Sequence, residues 1–286
     1  MSTAVLFPGQ GSQTEDMRED VERVRPDLLE LVQDQLGTDP FPRVTEGTHL
    51  AQPAIYCASL AGWSRMAGKL EPAAAAGHSL GEVAALVAAG ALDAADGLRL
   101  VIVRGRLMQE AGERTAGGGM LAVLKGGRDV AEALAARHGL VVANDNAPEQ
   151  LVLSGDLAGV EAAFADAKAE GLRAIKLPVT GAFHSPAMAY ARPEFEAALG
   201  DVAWSEPHFP VLSGVTAEPF DDVPGRLLEA LTSPVRWREV LLALRERGVE
   251  RTVETGPGAV LTGLVRRTLG PEVEAVGIDA LEAARA

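Results

Sequence analysis

The 286-residue sequence predicts an α/β protein, with a large domain built on a mostly parallel sheet and a small ferredoxin-like subdomain inserted into it. Two observations support this prediction. Strand-like and helix-like segments alternate at both ends of the chain, which is typical of a parallel sheet covered by helices. Between residues 120 and 177 the order becomes strand, helix, strand, strand, helix, strand, as in a ferredoxin-like unit. We therefore expect a large domain of residues 1–118 and 181–286 and an inserted subdomain of residues 119–180.

The composition is that of a globular protein and excludes several functional classes. Hydrophobic residues make up 47% and charged residues 23% of the chain, which argues against disorder. The single cysteine, Cys57, excludes an internal disulfide and a multi-thiolate zinc site. No stretch reaches the ~18 apolar residues of a membrane helix and no signal peptide is evident, so we expect a cytoplasmic protein without a membrane partner. The net charge of −14 argues against nucleic acid, so an anionic partner needs a local basic patch.

The first 70 residues are expected to hold one strand, a glycine loop and two helices. A buried strand at 3–7 ends at Pro8-Gly9 and leads into the polar loop from Gln10 to Gln13, a common place for a functional site. The apolar spacing then predicts one helix over 18–36 and another over 52–66, with Pro53 near the first turn of the second.

The middle of the chain places a tight turn between a strand and a helix. A short apolar segment at 73–76 predicts a buried strand, the sequence from Gly77 to Glu82 follows at once, and a helix is expected at 83–89. The next helix begins near Asp93 or Asp96 and runs to about residue 110, and the glycine-rich break at 116–119 marks the subdomain boundary. In the subdomain, strands are expected at 120–124, 140–143, 150–154 and 172–177, and helices at 129–137 and 157–170. After the subdomain, alternating strands and helices are expected at 211–215, 225–231, 237–247, 251–254 and 259–268.

The tight turn has the Gly-x-Ser-x-Gly pattern of an exposed nucleophilic serine, with Ser79 between Gly77 and Gly81. Such a turn is so sharp that its flanking positions have no room for a side chain and are occupied by glycine. The backbone amide of Leu80 then lies at a helix N-terminus, where a free N–H group can stabilise an oxyanion. A serine that merely caps the following helix is the alternative at this stage.

A serine nucleophile needs a base, and the chain has five histidines. His78 adjoins Ser79, but neighbouring side chains on a tight turn diverge. His138 ends a helix, and His49 and His208 lie in polar loops without a distinguishing feature. His184 lies in a glycine-containing loop where the inserted unit returns to the large domain, and interdomain crevices commonly hold substrates. His184 is therefore the candidate base, and the residues alone leave this assignment open.

The helix from Leu98 to Met108 carries two arginines in different settings. At about 100° per residue, Arg104 falls within the apolar arc, whereas Arg106 points away from it. A guanidinium in an apolar stripe is costly unless an anion meets it, and its fork matches a carboxylate. That anion is either a substrate or a buried Asp or Glu, and a snorkelling arginine is the remaining alternative.

Taken together, an ordered set of motifs resembles the malonyl-CoA:acyl carrier protein transacylases and the acyltransferase domains of polyketide synthases. The resemblance covers essentially the whole chain. The motifs are Phe7 to Gln13, Gln52-Pro53-Ala54, Gly77 to Glu82, Arg104-Gly105, Asn144-Asp145-Asn146 with Gln150, Gly181 to Ser185, Ser233 to Trp237, Glu254 to Gly258 and Leu261 to Leu264.

The resemblance implies an α/β-hydrolase-like large domain with a ferredoxin-like insert, and it implies roles for the motif residues. Ser79 becomes the nucleophile, His184 the general base, and Arg104 the clamp on the free malonyl carboxylate. The amides of Gln10 and Leu80 become the oxyanion hole. The further substrate-binding residues are expected to be Gln52, Asn146 and Phe183.

The implied function is transfer of a malonyl group from malonyl-CoA to an acyl carrier protein in fatty-acid or polyketide synthesis, by a monomer without a bound cofactor. Leu80 and the Ala182-Phe183 pair resemble the malonyl-selecting pattern, whereas Gly214 stands where family members commonly have Asn. The alternatives are transfer of a non-malonyl acyl group, hydrolysis of acyl carrier thioesters, and noncatalytic docking. An acidic carrier protein needs positive charge on this acidic chain, for which the expected candidates are Arg236, Arg238, Arg266 and Arg267.

Overall fold

The computed structural model describes residues 1–114 and 117–284 and contains two sheets surrounded by helices. The strands are β1 Thr3–Phe7, β2 Ala74–Gly77, β3 Gly118–Leu124, β4 Val141–Ala147, β5 Gln150–Asp156, β6 Arg173–Lys176, β7 Val211–Leu212, β8 Arg251–Glu254 and β9 Glu274–Gly277. The α-helices are α1 Met17–Val24, α2 Pro26–Leu36, α3 Thr48–Met66, α4 Gly81–Ala88, α5 Ala94–Arg114, α6 Gly127–Arg137, α7 Leu157–Ala169, α8 Arg192–Gly200, α9 Val223–Glu229, α10 Trp237–Glu246, α11 Val260–Leu269 and α12 Ile278–Ala283. Short 3₁₀ helices lie at Phe41–Arg43, Pro186–Ala191 and Gly270–Glu272.

The larger sheet is parallel and has the strand order β7-β2-β1-β8-β9. Its central strand β1 is buried along its whole length, as expected of a strand covered on both faces by helices. Phe7 at the end of β1 lies opposite Gly77 at the end of β2. The loops that carry Gln10 and Ser79 therefore leave from the same edge of the sheet, where parallel α/β sheets bind their ligands.

The smaller sheet is antiparallel and has the order β4-β5-β3-β6. Side chains of β3 alternate between its two faces. Leu121 and Val123 pack among residues of α6 and α7, whereas Met120 and Ala122 belong to the core of the large sheet's helices. One face of the smaller sheet is thus turned toward the rest of the molecule, and the other carries its own helices.

The structure differs from the expected elements in a few places that have physical causes. The helix expected at 18–36 is broken into α1 and α2, because Pro26 disfavours helical geometry at Arg25, which has φ −137° and ψ 60°. Helix α3 begins at Thr48, so Pro53 lies inside it. The sequence reasoning missed α8, β9 and α12. Of the glycine-rich break at 116–119, Ala116 lies outside the described residues.

The longest helices, α3 and α5, are not apolar enough over 18 consecutive residues to cross a membrane. No other helix in the described ranges qualifies either.

Candidate active site

Ser79 lies on a strained turn between β2 and α4, and its backbone is in the left-handed region with φ +56°. A Cβ on Gly77 would lie 2.0 Å from the carbonyl carbon of Gly81, and a Cβ on Gly81 would lie 2.1 Å from the carbonyl oxygen of Phe7. Both positions therefore require glycine. Leu80 occupies the cap position of α4 and no side chain caps the helix, so the interpretation of Ser79 as a cap is wrong.

The Oγ of Ser79 lies 2.8 Å from Nε2 of His184. The other ring nitrogen of His184, Nδ1, lies 2.8 Å from the backbone carbonyl oxygen of Ala230. A carbonyl oxygen only accepts hydrogen bonds, so Nδ1 carries the proton and donates it. Nε2 of the neutral ring is then free to accept the Ser79 hydroxyl proton, as a general base must.

The other four histidines have different surroundings. Nε2 of His78 bonds Oδ1 of Asn146 at 2.8 Å, and its ring packs edge-on against Trp237. His138 bonds Asp166 of α7. His49 and His208 lie near Gly47 and Gly90, respectively. Among the residues in view, none of the four bonds Ser79, so the structure brings His184 and not its competitors to the serine.

Arg104 is buried on α5 and its two terminal nitrogens point to the site. Nη2 donates to Ser79 Oγ at 3.1 Å, and Nη1 donates to Gln52 Oε1 at 2.8 Å. No carboxylate in the described part of the chain forms an ion pair with it, and only 3% of its surface is exposed. Neither an ion pair at contact distance nor snorkelling explains this arginine, and buried Glu82 acts on it only through a longer-range attraction. Arg106 lies on the exposed side of the helix, as its spacing predicts, and pairs with Glu110 and Glu194.

Burial shifts the pKa values of three groups around Ser79. Desolvation, helped by the positive charge of Arg104, lowers the pKa of His184 to about 3. Desolvation also lowers the pKa of Arg104 to about 10, against the attraction of Glu82. For Glu82, burial raises the pKa to about 7, while the Gly214 N–H group, 2.7 Å from Oε1, and Arg104 oppose that rise. His184 is therefore neutral at pH 7, and the carboxylate of an anionic substrate would offset the charge of Arg104 that lowers the pKa of His184.

Two backbone N–H groups remain free next to the serine. Those of Leu80 and Gln10 donate to no acceptor among the residues that the structure describes. Both residues line one cleft of about 100 Å³ with Ser79 and His184. Free N–H groups beside a nucleophile can bind the oxygen on which negative charge develops in acyl transfer.

The structure places the remaining expected binding residues in different ways. Phe183 lines the cleft. Gln52 accepts a hydrogen bond from Arg104, which itself donates to Ser79. The Asn146 side chain bonds His78, while Asn144 from the same motif lines the cleft. Sequence reasoning missed Asn144, although the motif signalled it, and Ala230, whose role rests on a backbone carbonyl that no side-chain pattern reveals. No cluster of three or more metal-ligating side chains occurs within residues 1–114 and 117–284.

Comparison with known proteins agrees on one family. The acyl transferase domain model matches residues 28–280. The malonyl CoA-acyl carrier protein transacylase of Synechocystis is 39% identical over 99% of this chain and 98% of its own length. The polyketide biosynthesis protein ThaF of Burkholderia thailandensis is 42% identical over 97% of this chain, which spans only 25% of that longer protein.

The solved structures that superimpose on this chain include malonyl transacylases. The malonyl-CoA:acyl carrier protein transacylase of Xanthomonas oryzae superimposes with a TM-score of 0.90 at 34% identity, covering 99% of both chains. A malonyl transacylase solved in complex with a type II polyketide acyl carrier protein superimposes with a TM-score of 0.86 at 33% identity, covering 97% of this chain and 94% of that one. Because the family model matches far more than half of the chain, this protein belongs to the acyl transferase domain family.

Proposed function

We propose that this chain moves a malonyl group from malonyl-CoA to the phosphopantetheine thiol of an acyl carrier protein through an ester on Ser79. The names of its full-length relatives support the substrates, and the transacylase solved with a carrier protein supports the partner. One observation carries the choice of malonyl: Arg104 has no carboxylate within ion-pair distance in the described part of the chain, and its Nη2 lies 3.1 Å from Ser79 Oγ. A buried guanidinium in that position suits an acyl group that brings its own carboxylate.

In the first half-reaction, His184 Nε2 takes the Ser79 proton as Oγ attacks the thioester carbonyl. The backbone N–H groups of Leu80 and Gln10 donate to the resulting oxyanion. The intermediate collapses when its C–S bond breaks, and His184 returns the proton to the departing sulfur, which leaves as the CoA thiol. The malonyl group is then an ester on Ser79.

The second half-reaction repeats these steps with the carrier protein. His184 takes the proton of the phosphopantetheine thiol, and the sulfur attacks the ester carbonyl. Breaking the C–O bond releases Ser79, which receives the proton from His184. The same two residues thus serve both halves, and the kinetics should be ping-pong.

Two residues near the serine would hold the acyl group. Arg104, oriented by Gln52, binds the malonyl carboxylate with its fork. Phe183 is buried in the wall of the cleft, and a large side chain there favours malonyl over a branched acyl group. Asn146 acts through His78, whose ring supports the turn that carries Ser79.

We also infer the domain architecture of the chain. The strand order of the smaller sheet supports a ferredoxin-like unit, inserted as residues 119–180 into an α/β-hydrolase-like domain of residues 1–118 and 181–286. A monomer, the absence of a cofactor and a cytoplasmic location stay predictions from the sequence.

Intact-mass measurement after incubation with malonyl-, methylmalonyl- and acetyl-CoA tests the proposal. A malonyl adduct should form fastest, persist without carrier protein, and disappear when the carrier protein is added. An adduct that water removes at once would identify a thioester hydrolase. A preference for acetyl-CoA or methylmalonyl-CoA would assign another acyl group.

A further inference from the structure

Three buried side chains form a series of hydrogen bonds that leads away from Ser79. Arg104 Nη2 donates to Ser79 Oγ at 3.1 Å, and Arg104 Nη1 donates to Oε1 of Gln52 at 2.8 Å. The Nε2 atom of Gln52 in turn donates to the thioether sulfur of Met108, 3.4 Å away. The exposed fractions are 3% for Arg104, 1% for Gln52 and 2% for Met108. These polar groups therefore depend on one another, rather than on solvent, for their hydrogen bonds.

The side-chain amide of Gln52 has one orientation that satisfies both of its neighbours. A guanidinium carries only donors, so the oxygen of the amide must face Arg104. The NH₂ group of the amide then faces Met108, whose sulfur is a weak acceptor. Gln52 Nε2 has no second acceptor within residues 1–114 and 117–284. The sulfur of Met108 is therefore the atom that pairs the buried NH₂ group of Gln52.

Close packing of helices α3 and α5 brings the three side chains together. Arg104 and Met108 are four residues apart on α5, so they lie on the same face of that helix. Gln52 reaches both of them from α3. At Gly105, a Cβ atom would lie 3.1 Å from the backbone oxygen of Thr48 and 3.5 Å from Cβ of Gln52. The glycine thus permits an approach of the two helices that is close enough for the Gln52 side chain to contact both partners.

Two methionines line the cleft at Ser79, and they differ in this contact. Met108 comes from α5 and Met120 from β3. Both are buried. The sulfur of Met108 accepts the hydrogen bond from Gln52, whereas the sulfur of Met120 accepts none in the part of the chain that the structure describes. If Met108 only filled space, leucine, which has a similar volume, would serve equally well.

We propose that Met108 is a positioning residue for the transfer reaction: its sulfur holds the Gln52 amide so that Oε1 faces Arg104, which fixes the guanidinium for a substrate carboxylate. This inference rests on the proposed function. Without the sulfur, Gln52 must either leave its NH₂ group buried and unpaired or move to another rotamer to find an acceptor. Such a move takes Oε1 away from Arg104, so the guanidinium is held less firmly.

Loss of the sulfur should affect substrates with a carboxylate and spare the others. Malonyl-CoA carries a carboxylate that would meet Arg104, whereas acetyl-CoA carries none. A guanidinium that is oriented less firmly binds the carboxylate less well, because a fork of two parallel hydrogen bonds depends on geometry. Met108 should therefore contribute to the preference for malonyl over acetyl, although it contacts neither the carboxylate nor Arg104 in the proposed arrangement.

The test compares kcat/KM for malonyl-CoA and for acetyl-CoA in the wild type and in Met108→Leu. The ratio of malonyl to acetyl should fall about fivefold in Met108→Leu, the factor that corresponds to one hydrogen bond. Protein produced with selenomethionine keeps an acceptor at position 108 and should keep the wild-type ratio. In a Gln52→Leu background, Met108→Leu should not change the ratio further, since the amide that the sulfur holds is gone.

The matched control is Met120→Leu in the same cleft, which should change kcat/KM for both substrates by the same factor. An unchanged or higher ratio in Met108→Leu, with native circular dichroism, would overturn the proposal and leave Met108 a packing residue. A wild type without any preference for malonyl would instead refute the proposed function. The sulfur contact is still tested in that case by urea unfolding of the wild type, both single variants and the double variant. Losses of stability that are smaller together than in sum support the contact, and additive losses overturn it.

Discussion

Ala230 accepts a hydrogen bond from His184 at 2.8 Å through its backbone carbonyl oxygen, on the side of the ring opposite Ser79. In many serine enzymes a carboxylate holds the histidine in this way. A neutral carbonyl fixes the same tautomer but adds no negative charge to stabilise an imidazolium. This arrangement agrees with the pKa of His184, which burial lowers to about 3.

The Ser79→Ala variant should form no malonyl adduct and transfer no acyl group, because the ester oxygen is gone. Peptide mass mapping of the wild type should place the adduct on Ser79. Cys57 is the other nucleophile to exclude, but it is buried and burial raises the pKa of its thiol, so it should stay unlabelled. Label on Cys57 or on another serine would refute the covalent mechanism.

The His184→Ala variant should slow both half-reactions by about 10²- to 10⁴-fold, since each needs the same proton transfer. His78→Ala removes the bond to Asn146 and the contact with Trp237, so its main effect should be a loss of about 1–3 kcal/mol of unfolding free energy. Single-turnover kinetics and urea unfolding separate the two effects. Greater catalytic damage from His78→Ala at equal folded content would show that the base is misassigned.

Acid should destabilise the protein partly through His184. The pKa of His184 in the folded state is about 3, below its usual value near 6.5, so the unfolded chain takes up this proton first. The stabilisation is complete above pH 6.5 and is lost as the pH falls toward 3. Between pH 6.5 and 4.5, His184→Gln should reduce the fall in unfolding free energy by about 2 kcal/mol. Equal falls in wild type and variant, by urea titration, would contradict the low pKa.

Glu82 should have the opposite pH dependence. Burial raises its folded pKa to about 7 from an ordinary value of 4.5, so the folded state holds the proton more tightly than the unfolded chain. This stabilisation is complete below pH 4.5 and is lost as the pH rises through 7. In Glu82→Gln that loss, of up to about 3 kcal/mol, should be absent. Urea unfolding at pH 5 and pH 8 measures it, and parallel curves for the two proteins would mean that Glu82 is ionised throughout.

The sequence predicted the parts of this fold and site that depend on local pattern. The turn around Ser79 was predictable because only glycine fits at 77 and 81, and Arg104 because a charge interrupts an apolar arc. The carbonyl partner of His184 was not, since any residue supplies a carbonyl. The pairing of Arg238 was equally hidden, because its partner Asp145 is 93 residues away. The pairing of Arg236 was not, since Glu239 lies three residues after it, a spacing at which helical side chains meet.

The substitution Arg104→Ala separates a dicarboxylate transferase from a general acyltransferase. If the guanidinium binds the malonyl carboxylate in this buried cleft, its loss leaves that carboxylate unpaired at a cost of roughly 3 to 5 kcal/mol. This corresponds to a fall of about two to three and a half decades in kcat/KM for malonyl-CoA. Acetyl-CoA has no such carboxylate, so its kcat/KM should change little or rise.

The matched control is Arg106→Ala on the exposed side of the same helix. Arg106 pairs with Glu110 and Glu194 at the surface, where ion pairs contribute at most about 1 kcal/mol, so both substrates should react as in the wild type. Competition between malonyl- and acetyl-CoA, with products resolved by mass, measures the selectivity directly. Selectivity should fall or invert in Arg104→Ala alone. If both substrates lost the same factor while circular dichroism stayed native, Arg104 would be a structural residue that supports Ser79, and the assignment of malonyl would lose the contact on which it depends.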